Sequence, residues 1–375
     1  VYFGTANYGF KASVQITASH NPAEYNGMKV SRENALPVGL DTGLEQIKEW
    51  IESGRECVPA AVRGSVRQMD IKADYLEFLL KYKGDWSSLK IAMDVSNGMA
   101  SLFVRDIFGD QPAYIYEEMD GRFPNHEPNP LVQKNVEDLK KLVAETGADI
   151  GVIFDGDADR VMFVDENSRF ISPDLMIAVL GHYFLEERGE KGYIHQDIRS
   201  SKAVGEYLAP MGGVMNTWRV GRAYAALKLR EIDGVYGGEL AGHYYFRDFF
   251  YSDSGLLAAI LIINVVAKMK AQGVSLSQLI ARIEKYQNSG EINFRLEDKK
   301  GAMDAVRDYF TASEQSTAYM DFDGYRVEFP DWWFNIRPSN TEPYLRFLCE
   351  ATSQELLEEK VAKVREILTE RFGAK

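Results

Sequence analysis

The stretch FDGDADR, Phe154–Arg160, places three carboxylates at alternate positions, which is a pattern that can hold a cation. It follows the apolar run IGVI, so it is predicted to leave the C-terminal end of a strand, where open α/β sheets bind ligands. Gly156 allows a tight loop in which Asp155, Asp157 and Asp159 converge. Three hard oxygen donors suit Mg²⁺. The plainer alternative is a solvated acidic turn. A calcium loop of the EF-hand type is excluded, because Arg160 stands at the sixth position where that loop needs glycine.

Three further stretches carry polar groups at suggestive spacing. In RPSNTEPYLR, Arg337 and Arg346 bracket Ser339, Asn340 and Thr341. Guanidinium forks with hydroxyl and amide donors match a phosphate dianion, and a polar loop with a helix cap is the alternative. In GGELAGHYYFRD, Glu239 and His243 can bond vicinal sugar hydroxyls after a Gly-Gly pair that permits close approach. Arg199 in HQDIRSS, and Arg219 and Arg222 in TWRVGR, stand near strand ends. Each alone is as readily a surface ion-pair residue. In ITASHNP, Ile16–Pro22, Ser19 lies between an apolar run and an Asn-Pro turn. No G-x-S-x-G elbow surrounds it, so a Ser-His-Asp hydrolase is disfavoured. The hydroxyl can instead carry a phosphoryl group opposite the cation of the acidic loop.

The elements that must position these groups alternate. LKIAMDVSNG and ADIGVIF are predicted strands, and VEDLKKLVAETG between them is an amphipathic helix stopped by glycine. VMFVDENSRFI is a predicted hairpin and PDLMIAVLGHYFLEERG a helix. KGYIHQDIRSS and GGVMNTWRVG are strands flanking a helix at 202–208. This alternation predicts layered α/β units with mainly parallel sheets. The tail differs: strands in GEINFRLED, TAYMDFDGYRVEFPDWWFNIRPSN and YLRFLCEA, then a closing helix, predict a smaller α+β domain. Joints are expected near Val58–Gly64, Asn167–Pro173 and Tyr286–Gly290.

Composition sets the frame. The 375 residues are long for one core, and 45% hydrophobic with 26% charged residues is ordinary for a globular chain. The net charge of −13 argues against general nucleic-acid binding, while a local arginine pocket for an anionic small molecule is compatible with it. No apolar run reaches the roughly 18–20 residues that span a bilayer. The longest, Gly255–Val266, contains Asn264 and reads as a buried helix. There is no signal-peptide pattern, and Cys57 and Cys349 fit no metal or redox spacing, so a cytoplasmic protein is expected.

TASHNPAEYNGMK, DGDADR, GGELAGH and RPSNTEPYLR occur together and in this order. That order resembles the α-D-phosphohexomutase superfamily, in particular its bacterial phosphomannomutase/phosphoglucomutase branch. The resemblance covers nearly the whole chain. It implies a four-domain architecture, three related α/β domains and a C-terminal α+β domain around a cleft. Placed on the expected joints, the domains are 1–64, 65–168, 169–286 and 287–375. It implies reversible transfer of a phosphoryl group between the 1 and 6 positions of a hexose phosphate, through a phosphoserine and a hexose 1,6-bisphosphate. Mannose phosphate is favoured and glucose phosphate possible in that branch.

The resemblance also implies roles. Ser19 would carry the phosphoryl group, with His20, Lys29 and Arg160 beside it for proton transfer and charge stabilisation. Asp155, Asp157, Asp159 and Ser19 would hold Mg²⁺. Arg199, Arg219, Glu239 and His243 would bind substrate, and Arg337, Ser339, Asn340, Thr341 and Arg346 its idle phosphate. Small hexose phosphates, with no nucleic acid and no membrane, are the expected partners, for a monomer or homodimer. Three departures from the family pattern stand out. Ser19 comes so early that an N-terminally truncated first domain is expected. Ala241 replaces a serine in the sugar loop. Arg219 and Gly221-Arg222 replace a lysine and a Gly-His pair. The alternatives are a phosphoglucosamine mutase, or a sugar-phosphate-binding fragment without turnover.

Overall fold

Four β-sheets follow one another along the chain in the computed structural model, which describes residues 1–339 and 343–375. The first is a two-stranded antiparallel ribbon of β1 (Ala12–Ile16) and β2 (Met28–Arg32), with helices α1 (Tyr2–Asn7) and α2 (Leu44–Glu52) beside it. Ser19 lies in the loop of this ribbon. After α3 (Lys72–Leu80) the second sheet contains β3 (Ile91–Asp94), β4 (Ala113–Ile115), β5 (Ile150–Phe154), β6 (Val161–Asp165) and β7 (Phe170–Ile171), in the order β4-β3-β5-β6-β7. Helices α4 (Val104–Phe108) and α5 (Glu137–Thr146) make its crossovers. Gly147 ends α5 at φ 60°, a left-handed stop that glycine takes at little cost.

The third sheet has the order β12-β11-β10-β8-β9. Its strands are β8 (Gly192–Asp197), β9 (Gly213–Trp218), β10 (Tyr236–Gly238), β11 (Tyr244–Phe246) and β12 (Ser252–Asp253). Helices α6 (Pro173–Gly181), α7 (Lys202–Leu208) and α8 (Arg222–Glu231) accompany it, followed by α9 (Gly255–Ala271) and α10 (Leu276–Ile283). The fourth sheet is antiparallel throughout. It comprises β13 (Gln287–Asn288), β14 (Ile292–Arg295), β15 (Ala318–Met320), β16 (Tyr325–Glu328), β17 (Trp332–Pro338) and β18 (Tyr344–Ala351), with α11 (Lys299–Ser313) and α12 (Gln354–Phe372) packed on it.

The α/β layers agree with the alternation read from the sequence, but the sheets are mixed rather than mainly parallel. In the second sheet β3 is parallel to β4 and β5, while β5–β6 and β6–β7 are antiparallel. The reason is local. Phe154 pairs with Val161 across FDGDADR, so the acidic stretch is the loop of a hairpin.

Helix α9 is apolar on every side and correspondingly buried. It packs against α6 and α10 and also against β5 and β6, tying the second and third units together. Its one polar interior group is satisfied across that contact. Asn264 Oδ1 accepts from Trp86 Nε1 at 2.6 Å and Gly84 N at 3.0 Å, and its Nδ2 donates to the Tyr82 carbonyl at 2.8 Å. No single helix among the described residues is long and apolar enough to cross a membrane.

The fourth sheet is joined to the third unit through a buried carboxylate. Glu350 accepts from Ser201 Oγ at 2.7 Å, Trp333 Nε1 at 2.8 Å and Asn288 Nδ2 at 2.9 Å. Burial, reinforced by the nearby Asp174 carboxylate, pushes its pKa up to about 7. The folded state therefore holds this proton longer than the unfolded chain does. The stability it contributes is complete below the ordinary glutamate range and is lost as pH rises through 7. Glu350→Gln should remove that slope. Thermal melting at pH 5 and pH 8 checks it: the wild type should lose on the order of 3 kcal/mol more than the variant over that interval.

Candidate active site

The acidic loop is a short hairpin turn, and its geometry is dictated by what touches Gly156. A Cβ there would lie 2.6 Å from the carbonyl oxygen of Ser19 and 3.2 Å from the side chain of Pro128. Its own carbonyl accepts from Met99 N at 2.9 Å. Only a glycine lets the Ser19 loop, the 96–99 turn and the acidic loop meet. Between the first two of these is a cleft of ≈ 300 Å³ reaching Ser19.

Ligand atoms of Asp155, Asp157 and Asp159 lie within 4.8 Å of one another. Asp155 and Asp159 are buried and Asp157 half-buried. Each keeps one buried oxygen without a hydrogen-bond partner among the described residues: Asp155 Oδ2, Asp157 Oδ1 and Asp159 Oδ1. Burial, and then repulsion from Asp159 and Asp157, pushes Asp155 well above the usual carboxylate range. Burial acts on Asp159 in the same sense, but His243, Lys29 and Arg160 outweigh it and hold Asp159 low. Arg160 Nε lies 3.2 Å from Asp155 Oδ2 as an ion pair, and carboxylate oxygens converging in a buried site without hydrogen-bond donors are a set that a hard divalent cation fits.

The groups around this cluster come from different sheets. Lys29 on β2 bonds Asp157 Oδ2 at 2.7 Å and also bonds Asp159. Burial alone would lower Lys29, but these two carboxylates raise it above the ordinary lysine value, so it stays charged. Thr17 Oγ1 donates to Asp157 at 2.8 Å and accepts from Ser19 N at 2.8 Å, fixing the serine loop to the acidic loop. Ser19 itself has φ 57°, a left-handed conformation that costs a non-glycine residue on the order of 1 kcal/mol. Its Oγ accepts from Arg160 Nη2 at 3.3 Å and lies 3.4 Å from His20 Nδ1. Arg160 also bonds His20 Nδ1. Burial, and then the Arg160 charge, push His20 down to about 4, so its ring is neutral at pH 7.

His243 follows the third sheet's Gly-Gly strand, and its backbone bridges Arg160. Its Nδ1 lies 2.7 Å from Asp253 Oδ2 and 3.8 Å from Asp159 Oδ1. Burial opposes protonation, yet Asp159 and Asp253 raise its pKa above the ordinary histidine value. Glu239 points inward, accepting from Gly221 N at 2.8 Å and Tyr245 Oη at 3.2 Å. In this arrangement Glu239 braces the turn before α8. Arg219 lies apart, 38% exposed, over the Tyr224 ring and 3.5 Å from Asp41.

A second cluster is cationic. The Arg199 fork bonds Asp197 at 2.8 and 3.1 Å and is buried. Arg337 is buried with Nε and Nη1 lacking hydrogen-bond partners among the described residues, and Asp323 is 3.9 Å away. Burial and then the like charge of Arg199 lower its pKa. Antiparallel pairing sets Arg346 directly opposite Arg337, and Glu291 neutralises Arg346 at 3.0 Å. Ser339 follows β17, with its N–H on the Tyr344 carbonyl at 2.9 Å. Asn340 and Thr341 lie outside the described residues.

Four family models match this chain: phosphoglucomutase/phosphomannomutase α/β/α domain I over residues 1–57, domain II over 73–168, domain III over 172–286 and the C-terminal domain over 291–367. The chain belongs to the phosphoglucomutase/phosphomannomutase family. The domain I match covers residues 1–57 of this chain. A phosphomannomutase of Salmonella montevideo is 37% identical, aligned over 98% of this chain and 82% of the relative. A Xanthomonas campestris protein described as phosphohexose mutases is 36% identical over the same shares. A crystal structure of a family member from Burkholderia thailandensis superposes with a TM-score of 0.81 at 27% identity, covering 96% of this chain and 76% of that one.

Thr17, Asp253 and Asp197 were not singled out in the sequence. The first lies two residues before Ser19 in the same motif, and Asp253 precedes a Ser-Gly helix start in SDSG. Gly156→Ala tests the packing of the site. The added methyl must displace the Ser19 carbonyl, so turnover should fall about 100-fold with the circular dichroism spectrum unchanged. Wild-type turnover would show that this contact does not set the site.

Proposed function

We propose that this protein moves a phosphoryl group between the 1 and 6 positions of a hexose phosphate, with Ser19 as the carrier. The observation that carries the reading is the Ser19 hydroxyl in a left-handed turn, bonded by Arg160 and tied through Thr17 to the hairpin turn that gathers three carboxylates. In the first half-reaction the P–O bond to Ser19 breaks and a bond to the free sugar hydroxyl forms, which releases that hydroxyl's proton. The resulting bisphosphate turns over in the cleft, and Ser19 takes back the other phosphoryl group. Mannose phosphate is the proposed substrate, supported by the phosphomannomutase relatives.

Asp155, Asp157 and Asp159 would hold Mg²⁺, which when bound withdraws charge from the phosphoryl oxygens. Arg160, bonded to the Ser19 hydroxyl, would meet the same charge. Lys29, held charged by Asp157 and Asp159, is suited to charge stabilisation and not to accepting a proton. His20 presents Nδ1 to Arg160, which occupies that acceptor. Proton transfer falls better to His243. Its Nδ1–H donates to Asp253 and its raised pKa keeps a proton on Nε2, so it can hand that proton to the leaving Ser19 oxygen and take the sugar hydroxyl's proton in its place. Arg199 and Arg337 with Ser339, Asn340, Thr341 and Arg346 would hold the idle phosphate. Two guanidiniums in mutual repulsion, one with N–H groups lacking hydrogen-bond partners among the described residues, are relieved by a dianion.

The test is turnover of mannose 1-phosphate to the 6-phosphate, with Mg²⁺ and a trace of the 1,6-bisphosphate. Ser19→Ala should abolish incorporation of labelled phosphate and lower kcat by 10⁴-fold or more. Arg337→Ala should raise KM about 100-fold, because a buried charge-assisted contact is lost. Undiminished steady-state activity of Ser19→Ala would end the reading.

A further inference from the structure

His126 has no place in the chemistry above, yet both its ring nitrogens are engaged. Its Nε2 lies 2.9 Å from Asp94 Oδ2, and its Nδ1 lies 2.9 Å from the Glu127 carbonyl. Both ring nitrogens face acceptors, so only the doubly protonated ring satisfies both. Asp94 closes β3 and is fully buried. The Tyr116 ring stands edge-on to the imidazole at 5.4 Å, and its hydroxyl bonds Asp138 at 2.8 Å.

Two chain segments leave this pair, and both end on Gly156. On the first, Asp94 Oδ1 accepts from Ser96 N at 2.8 Å, and Ser96 Oγ donates to the Phe154 carbonyl at 2.7 Å. Ser96 and Asn97 are both left-handed, at φ 53° and 52°, conformations that must be held by their surroundings. The turn they form delivers Met99 N to the Gly156 carbonyl at 2.9 Å. On the second segment, the Glu127 carbonyl is bonded to the His126 ring, and Pro128 flanks Gly156, 3.2 Å from where a Cβ on it would stand. The remaining side of Gly156 receives the Ser19 carbonyl. The turn carrying the three carboxylates is thus enclosed by two arms fixed at one buried ionic hydrogen bond, and the serine loop closes the third side.

We propose that Asp94 and His126 form a positioning pair for the cation loop: by locking the 96–99 turn and the Glu127–Pro128 segment around Gly156, they set the acidic triad at its distance from Ser19. The inference rests on reading Asp155, Asp157 and Asp159 as a divalent-cation site. Neither His126 nor Asp94 touches the cation or the substrate. Their effect passes through backbone contacts, so it falls on cation affinity and on kcat and leaves the distant arginine cluster untouched. Groups that orient metal ligands from behind typically change affinity by 10–100-fold when removed.

The experiment is a Mn²⁺ titration followed by electron paramagnetic resonance, run on wild type, Asp157→Asn, His126→Ala and His126→Gln, with kcat and KM for mannose 1-phosphate measured in parallel. Wild type should bind Mn²⁺ saturably and Asp157→Asn should not. His126→Ala should bind Mn²⁺ at least tenfold more weakly and lose kcat with KM unchanged. His126→Gln, whose amide can still donate to Asp94, should recover part of both. If His126→Ala does not fold, Pro128→Gly removes one arm without uncovering the buried charge and carries the same expectation. Wild-type Mn²⁺ affinity and kcat in His126→Ala, or a lowered melting temperature with unchanged affinity, would overturn the positioning role while leaving the cation site standing. No saturable Mn²⁺ binding by the wild type would overturn the cation-site reading beneath it.

Discussion

Three carboxylates within 4.8 Å of one another, in the turn of a hairpin, are the constraint from which the rest of the structure follows. Like charges so close and so dry repel by several kcal/mol unless cations surround them. Those cations are drawn from separate parts of the chain: Lys29 from the first sheet, Arg160 from the hairpin itself, and His243 from the third sheet. A cluster that cannot be neutralised within its own sheet becomes the place where other sheets must come. The cleft is therefore where these units are tied together, and Ser19 is brought in by the same ties.

Close approach of backbones makes this possible. Gly156 lies under the Ser19 carbonyl, and Gly98 lies under Gly156, where a Cβ would fall 2.7 Å from the Gly156 carbonyl. Gly255 begins α9 against the carbonyls of Ala158 and Arg160, with a Cβ there 2.7–2.8 Å from them. The acidic loop is thus held by three glycine contacts to three different segments. In the arginine cluster the logic is reversed. The β17–β18 register sets Arg337 opposite Arg346, and Arg199 arrives from the third sheet, so positive charge accumulates where an anion can relieve it.

Much of this was legible along the chain. IGVI before FDGDADR marked a buried strand, the apolar run at 255–266 marked a buried helix, and the order of the four polar stretches pointed to one family. The misreadings share a physical cause. The sheets were expected to be mainly parallel because an apolar run fits either strand direction, and nothing in the composition reveals that Val161 returns beside Phe154. Glu239 was read only as a ligand in a Gly-rich loop, and its structural partners were not legible. Its partners, Gly221 N and Tyr245, exist only once β10, β11 and the turn before α8 are packed. His126 and Asp253 carry no local signal, because each acquires its role from a carboxylate or histidine distant in sequence or on another strand.

By itself the sequence determined the chemical inventory: which oxygens, guanidiniums and hydroxyls are present, and which glycines make their approach sterically allowed. It also determined the local elements, because strand and helix periodicities are short-range properties of a chain. Tertiary structure alone decided which groups face one another. It assigned Lys29 to Asp157 and Asp159, turned Glu239 inward, left Arg219 at the surface and gave His126 its buried partner. Those outcomes depend on charge neutralisation and desolvation, which are set by distances across sheets and cannot be read from spacing along the chain.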